Sequence, residues 1–350
     1  MKYALIGCGR VAPEHINAVK ENNLQITAVC DINSFKAKAL SEEHSLDCAV
    51  YTDHNTMVQE ISPALVAIAT YSGTHAAIAL DCIRCGCNVI IEKPVALSLA
   101  DADMLIREAD VAGVKVCVCH QNRFNKAVVN LKNALEYKKL GALSHAACNV
   151  RWHRDDDYYS EKWRGTWAMD GGALMNQCIH GIDLLRYLAN DEIVELYAFT
   201  RRAFHPIIEC EDVGIAAVKF NSGLIATIEG TVNVYRDDYE QTLCFFGDSG
   251  TVKLGGICAN EIKKWDIKNS HDISAGTYEK VNSVYGNSHT LLYGDMIDAI
   301  KNDREPLVTI KEGRKALEII LAMYQSSYTG MPIRFPLGSQ KTITFEGMFD

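Results

Sequence analysis

Residues 1–12 read Met-Lys-Tyr-Ala-Leu-Ile-Gly-Cys-Gly-Arg-Val-Ala: an apolar strand pattern that runs straight into Gly7-Cys8-Gly9-Arg10-Val11-Ala12 and then a helical pattern. Taken alone, G-x-G-x-x-A is common. Its context makes it informative, because a second strand pattern at 26–30 ends on an acid, Asp31, 22 residues beyond Gly9. Gly7 permits the tight turn, Gly9 lets the backbone approach a pyrophosphate, and Ala12 allows close helix–strand contact. The helix that starts at Arg10-Val11 offers free N–H groups and a partial positive charge to phosphates. Asp31 is placed to accept hydrogen bonds from ribose hydroxyls and to repel a 2′-phosphate, so the reading is NAD rather than NADP.

Working outward, further apolar runs lie at 48–51, 65–69, 88–91 and 114–119, with helical patterns such as 75–85 and 100–112 between them. Strands alternating with helices imply right-handed βαβ units and a parallel sheet. The rhythm stops after six strands, which excludes an eight-fold barrel. Beyond about residue 120 come helices at 126–137 and 173–188, period-2 strands at 145–152, 195–201, 213–220, 224–234, 241–246 and 250–254, and closing helices at 291–301 and 311–328. The expected architecture is an α/β Rossmann domain over 1–120 plus an α+β domain with a mostly antiparallel sheet over 121–350.

Composition bounds the function. The 350 residues are 48% apolar and 23% charged, which excludes a disordered chain, and no apolar run reaches the ~18 residues of a membrane span. A net charge of −9 argues against nucleic acid as a partner. The N-terminus lacks a signal-peptide pattern, and thirteen cysteines without one suit a reducing, cytoplasmic setting. Cys82, Cys85, Cys87, Cys117 and Cys119 read as core thiols, and no metal is expected.

Ligands of doubly wound sheets bind at the carboxyl ends of the strands. Those ends carry Thr70, Ser72 and His75, then Glu92 and Lys93, then Gln121, Asn122 and Arg123. Lys93 follows a buried-strand pattern directly, so its ammonium group would stand beside a nicotinamide ring, where partial burial and a neighbouring cation lower its pKa.

With Glu92-Lys93-Pro94, the glycine turn and Asp170-Gly171-Gly172-Ala173-x-x-Asn176-x-x-x-His180, the whole chain resembles the Gfo/Idh/MocA oxidoreductase family. The resemblance implies a Rossmann domain for the nicotinamide cofactor and a second domain for substrate and oligomer contacts, as a homodimer or homotetramer. It implies Lys93 and His180 as the catalytic residues, with Trp163 and Arg164 toward the cofactor. Many members carry aspartate where this chain has Asn176, which shifts the base role toward His180 or Lys93. His120-Gln121-Asn122-Arg123, Trp152-His153-Arg154, Tyr158-Tyr159, Trp163–Trp167, Met175-Asn176-Gln177 and Ser283-Val284-Tyr285-Gly286-x-x-His289 resemble a subgroup of UDP-N-acetyl-2-amino-2-deoxyglucuronate 3-dehydrogenases. That implies a UDP-sugar acid as substrate, in the synthesis of bacterial surface polysaccharides.

The second domain supports this residue by residue. Asn176 and His180 are four apart on a predicted helix that Asp170 is placed to cap, so they share a face with Gln177 nearby. Arginine forks at 151, 154 and 164 among Trp152, Tyr158, Tyr159, Trp163 and Trp167 suit phosphate, carboxylate and ring recognition. Asn122, Arg123, Arg154, Tyr158, Tyr159, Asn176, Gln177 and His289 are the expected substrate contacts. A base removes the hydroxyl proton while the carbon gives hydride to nicotinamide; whether Lys93 or His180 is that base stays open. Two alternatives compete: a dehydrogenase of a free sugar or inositol, and a regulatory module that binds NAD without catalysis. Ile215, Ala217, Leu224, Ala226 and Ile228 are expected on a sheet face that needs a cover, with the first domain's helices on the other face.

Overall fold

The computed structural model describes residues 1–269, 276–281 and 284–350; Ser283 of the last motif lies outside them. The chain divides into two compact units, Met1–Gln121 with His289–Arg314, and Asn122–Ser288 with Lys315–Asp350.

The first unit holds a six-stranded parallel sheet: β1 (Lys2–Ile6), β2 (Gln25–Cys30), β3 (Ala49–Tyr51), β4 (Leu65–Ile68), β5 (Asn88–Ile91) and β6 (Val116–Val118), in the order β3-β2-β1-β4-β5-β6. Between them run α1 (Ala12–Glu21), α2 (Ser34–Glu43), α3 (His54–Ile61), α4 (His75–Arg84) and α5 (Leu99–Ala112). Strands β4 and β5 are apolar and almost wholly buried, as strands covered on both faces must be. Asn33, Asp53 and Ser98 each accept a backbone N–H at a helix start, which fixes where α2, α3 and α5 begin.

The second unit begins with α6 (Lys126–Glu136), β7 (Leu143–Arg151), the short α7 (Asp156–Tyr159) and α8 (Ile179–Ala189), preceded by a π-helical turn over Leu174–Cys178. Strands β8 (Ile193–Arg201), β9 (Val213–Phe220), β10 (Ile225–Thr231), β11 (Glu240–Gly247), β12 (Gly250–Gly255), β13 (Glu261–Ile267) and β14 (Ile333–Arg334) join β7 in an eight-stranded sheet ordered β13-β12-β11-β7-β10-β9-β8-β14. Its pairs are antiparallel except β7 with β10, which run parallel. The last helices are α9 (His289–Lys301) and α10 (Ile310–Thr329).

Two expectations change here. The first unit is discontinuous: α9 packs on α1, so residues 289–314 complete the unit that residues 1–121 begin. The sheet faces also sort differently. Ala226 and Ile228 on β10 and Leu224 before it are buried, on the face that packs against the Leu174–Cys178 turn and α8 of the same unit. The outward face carries Phe199, Ile215 and Ile225, each more than half exposed. Strict alternation along β9 and β10 assigns adjacent residues to opposite faces, so the expected set mixed the two.

Candidate active site

Within the first unit, β1 delivers the chain to Gly7 at φ +97°, where an added Cβ would stand 2.4 Å from the Ala69 carbonyl oxygen. Only glycine makes this turn against β4. At Gly9 no heavy atom outside the adjoining chain lies within 4 Å of such a Cβ, so the turn opens onto free space at the start of α1. Asp31 closes the other side: one carboxylate oxygen accepts from Cys8 N at 2.9 Å and the other from Asn33 N at 2.8 Å. Arg10 is exposed and Val11 half-buried beside them. The helix begins at Ala12 rather than at Arg10-Val11, and its first N–H groups are already used: Ala12 N–H donates to Gly9 O, Glu14 N–H to Val11 O, and Pro13 has none. What fits a dinucleotide is the glycine turn with open space and a flanking carboxylate.

The neighbouring strand ends are tied together. Thr70 Oγ1 bonds Thr74 Oγ1 at 2.8 Å, and Ser72 is buried in a short 3₁₀ turn. His75 is buried between the β4 and β5 loops, with Nδ1 2.8 Å from Pro94 O and Nε2 3.2 Å from Thr70 O, and as a neutral imidazole it donates to one of these two carbonyls. Burial pulls its pKa below the usual histidine value. Lys93 is half-buried, and its backbone N–H donates to Glu92 Oε2 at 3.2 Å. Glu92 is buried; His15 Nε2 lies 3.2 Å and His289 Nε2 3.6 Å from its Oε1. Burial pushes the Glu92 carboxyl up, but these two imidazoles outweigh it and hold it well below the usual carboxylate range. His289, expected at the substrate, therefore faces Glu92 inside the first unit. Its place at the start of α9, which packs on α1, is the cause. Donor atoms of His15, Glu92 and Cys119 lie within 4.8 Å of one another, the one grouping among the described residues with metal-ligand chemistry.

In the second unit, the π turn and α8 present Asn176, Gln177 and His180, all buried. Gly214 and Gly230 are register partners on β9 and β10, and a Cβ at either would come within 2.7 Å of a Leu174 methyl. This glycine pair lets the turn sink onto the sheet, an approach that no larger residue allows. The expected continuous α-helix thus starts as a wider turn, a form frequent at functional sites. Asp170 does not cap it. Its carboxylate accepts from Gly165 N at 2.8 Å and from the Asn176 amide, which leaves Asn176 Oδ1 as an acceptor. Glu211 takes the capping place, accepting from Leu174 N at 2.8 Å and from the Tyr324 hydroxyl at 3.1 Å. Burial raises its pKa to about 8.

The aromatic–arginine segment folds into one array. Asp155 accepts the Tyr158 N–H at 2.9 Å and so starts α7. Tyr158 accepts at its phenol oxygen from Gln177 Nε2 at 2.8 Å and from an Arg164 guanidinium nitrogen. The Arg164 guanidinium lies 4.0 Å from the Tyr158 ring centre and 4.4 Å from that of Trp163; Arg154 lies 5.2 Å from the Tyr158 ring and bonds Asp238 at 2.9 Å. Burial pushes the Tyr158 phenol up to about 12, so it stays protonated. His205 places its two ring nitrogens on Asp212 Oδ2 at 3.1 Å and Arg154 O at 2.8 Å. Asn122 is buried with no hydrogen-bond partner on either amide atom among the described residues, as a ligand-facing amide would be. Gln121 is buried just before it.

Two expected substrate contacts are used elsewhere. Arg123 is buried in a two-pronged pair with Asp183, at 2.8 and 2.5 Å, and stacks on Tyr187, so its fork holds α8 in place of an anion. Tyr159 packs into a small core with Ala173, Ile208 and Val232. Sequence reasoning missed Glu211, the Gly214–Gly230 pair and the pairing of Asp183 with Arg123. Asp183 lies one turn after His180, but nothing local identifies Arg123 as its partner.

Comparison with known proteins agrees with this geometry. Residues 1–120 match the oxidoreductase family with an NAD-binding Rossmann fold, and residues 128–253 match the GFO/IDH/MocA C-terminal domain. The chain belongs to the Gfo/Idh/MocA oxidoreductase family and is an NAD-dependent dehydrogenase. Among solved structures it is similar to the WlbA dehydrogenase from Bordetella pertussis, crystallised with NADH and UDP-GlcNAcA, at 30% identity and TM-score 0.87 over 97% of this chain and 99% of that one. The Chromobacterium enzyme of the same name is similar at 32% and 0.88, over 97% and 96%. By sequence, the chain is 24% identical over 91% of its length, and 93% of the relative's, to myo-inositol 2-dehydrogenase of Thermotoga maritima. Among the described residues no helix is long and apolar enough to cross a membrane.

Proposed function

We propose that the protein oxidises the sugar 3-hydroxyl of a UDP-N-acetylglucosaminuronic acid to the ketone, a step in building surface-polysaccharide sugars. The carrying observation is the Arg154–Tyr158–Arg164–Gln177 array, which supplies guanidinium forks and a neutral phenol to a charged, ring-bearing substrate. The similarity to two dehydrogenases crystallised with UDP-GlcNAcA supports it. Gly7, Gly9, Val11 and Asp31 hold the dinucleotide, which when bound supplies the hydride acceptor. Asn176 Oδ1 and Asn122 orient the hydroxyl. Lys93 and His180 carry the proton: one takes it from the hydroxyl oxygen as the carbon's hydride leaves.

An inositol or free-sugar dehydrogenase is the second reading, favoured by the curated relatives at 21–28% identity. NADH formation with UDP-GlcNAcA, UDP-GlcNAc and myo-inositol separates the two. Turnover of inositol alone overturns the nucleotide-sugar reading. With the preferred substrate, His180→Asn should lower single-turnover hydride transfer by ~10²–10⁴ while leaving NAD affinity nearly unchanged, if His180 is the base. A native rate in that variant assigns the base to Lys93. The outward face around Phe199, Ile215 and Ile225 is proposed to be covered by a second copy; light scattering that finds a monomer at micromolar concentration contradicts this.

A further inference from the structure

Behind Lys93 lies a chain of buried groups that neither the cofactor turn nor the substrate array uses. Tyr3 on β1 and Tyr293 on α9 share a hydrogen bond at 3.0 Å. Tyr293 Oη is 2.7 Å from His15 Nδ1, and His15 Nε2 is 3.2 Å from Glu92 Oε1. Every member is buried. The hydrogen-bond direction follows from the far end. Glu92 is ionised and can only accept, so His15 carries its proton on Nε2. Burial keeps His15 neutral, with a lowered pKa, so Nδ1 is a bare lone pair and Tyr293 must donate to it. The Tyr293 oxygen then has only acceptor capacity left, and Tyr3 donates to it. All three hydrogen bonds point toward the carboxylate. The groups that face Glu92 are His15 from α1, His289 from α9, Cys119 after β6, His75 from α4, and Lys93 beside it in the chain.

We infer that His15 and Tyr293 are positioning residues that hold Glu92 as an anion behind Lys93, with the Tyr293 hydroxyl fixing the His15 tautomer. The proposal rests on the reading of Lys93 as an acid–base group. Its consequence is directional. Removing the Tyr293 hydroxyl frees His15 to move its proton to Nδ1, which turns a lone pair toward Glu92. Glu92 then takes up a proton from solvent and donates it to Nε2, and the negative charge one residue from Lys93 in the chain is lost. Removing the Tyr3 hydroxyl, at the outer end, leaves the donation from Tyr293 to His15 intact.

The test uses the NAD-saturated protein labelled with ¹⁵N-histidine, His15 being assigned by its loss in His15→Gln. The expected result is an Nε2–H tautomer in the native protein and in Tyr3→Phe, and an altered one in Tyr293→Phe. The limb of the rate–pH profile that is absent from Lys93→Ala should move to lower pH by about one unit in Tyr293→Phe, the scale of a lost neighbouring charge. It should stay in place in Tyr3→Phe, and Tyr293→Phe should have no further effect once His15 is Gln. An Nδ1–H tautomer in the native protein, or equal shifts in the two tyrosine variants, overturns the inference. A native rate and profile in Lys93→Ala overturns the reading of Lys93 as an acid–base group instead, and the nitrogen shifts then still decide the tautomer.

Discussion

Glu92 and Glu211 are both buried carboxyl groups, one in each unit, and each adjoins the segment that carries a candidate catalytic residue. Their charge states oppose. Glu92 has imidazoles at 3.2 and 3.6 Å and the Lys93 N–H, and it stays ionised well below the usual range. Glu211 has one backbone N–H and one phenol on Oε1, no partner on Oε2 among the described residues, and an anionic neighbour in Asp212; burial wins and its pKa rises to about 8. Depth of burial is therefore not what sets the charge. The number and kind of donors sets it.

The sharpest extension of this comparison is a third buried acid, Asp183, which has a full counter-charge. Arg123→Met should strand that carboxylate and cost about 3–5 kcal/mol, read as a lowered denaturant midpoint. Glu92→Gln, which replaces the charged acceptor by a neutral one, should cost about 1.5–3 kcal/mol at pH 7. Because its folded pKa is depressed, the Glu92 contribution is present above the unfolded value near 4.5 and fades as pH falls through the folded one; the variant should lose that acid-side dependence. Glu211→Gln should act with the opposite sign. A raised pKa means stability fully present below about 4.5 and lost as pH climbs to about 8, so the variant should gain on the order of 2–3 kcal/mol at pH 7 and nothing at pH 4. Equal behaviour of the two glutamine variants across pH would break the comparison. Smallest is Asp31→Ala, on an acid that is not buried: the preference for NAD over NADP should shrink by about 1 kcal/mol, read from the two dissociation constants.

The first unit was legible because its signals are local. Gly7, Gly9 and Asp31 sit at fixed spacing, and strands of the parallel sheet such as β4 and β5 are short, mostly apolar runs followed within two residues by polar ones. In the second unit the strands were legible by alternation, but their order was not: the parallel pairing of β7 with β10 joins residues about 80 positions apart. The grouping of side chains was legible where one segment holds it, as from Arg154 to Arg164. It failed where chemistry depends on a distant partner. Arg123 looks like an anion ligand until Asp183 takes its fork, and His289 looks like a substrate contact until α9 lies on α1. The π turn over Leu174–Cys178 was hidden because its cause, Gly214 beside Gly230, lies on two other strands.

The return of His289–Arg314 to the first unit imposes an order on biosynthesis. A ribosome releases residues 1–121 long before the helix that supplies Tyr293 and His289. At ~5–20 residues per second, the roughly 170 residues in between take about 8–34 s. Throughout that interval His15, Tyr3 and Glu92 have no α9 to cover them, so the nascent sheet carries an unfinished polar seam. The same return also means that transplanting the cofactor unit into another scaffold requires two cuts and two sutures, since a fragment ending at residue 121 omits the tyrosine and histidine that finish it.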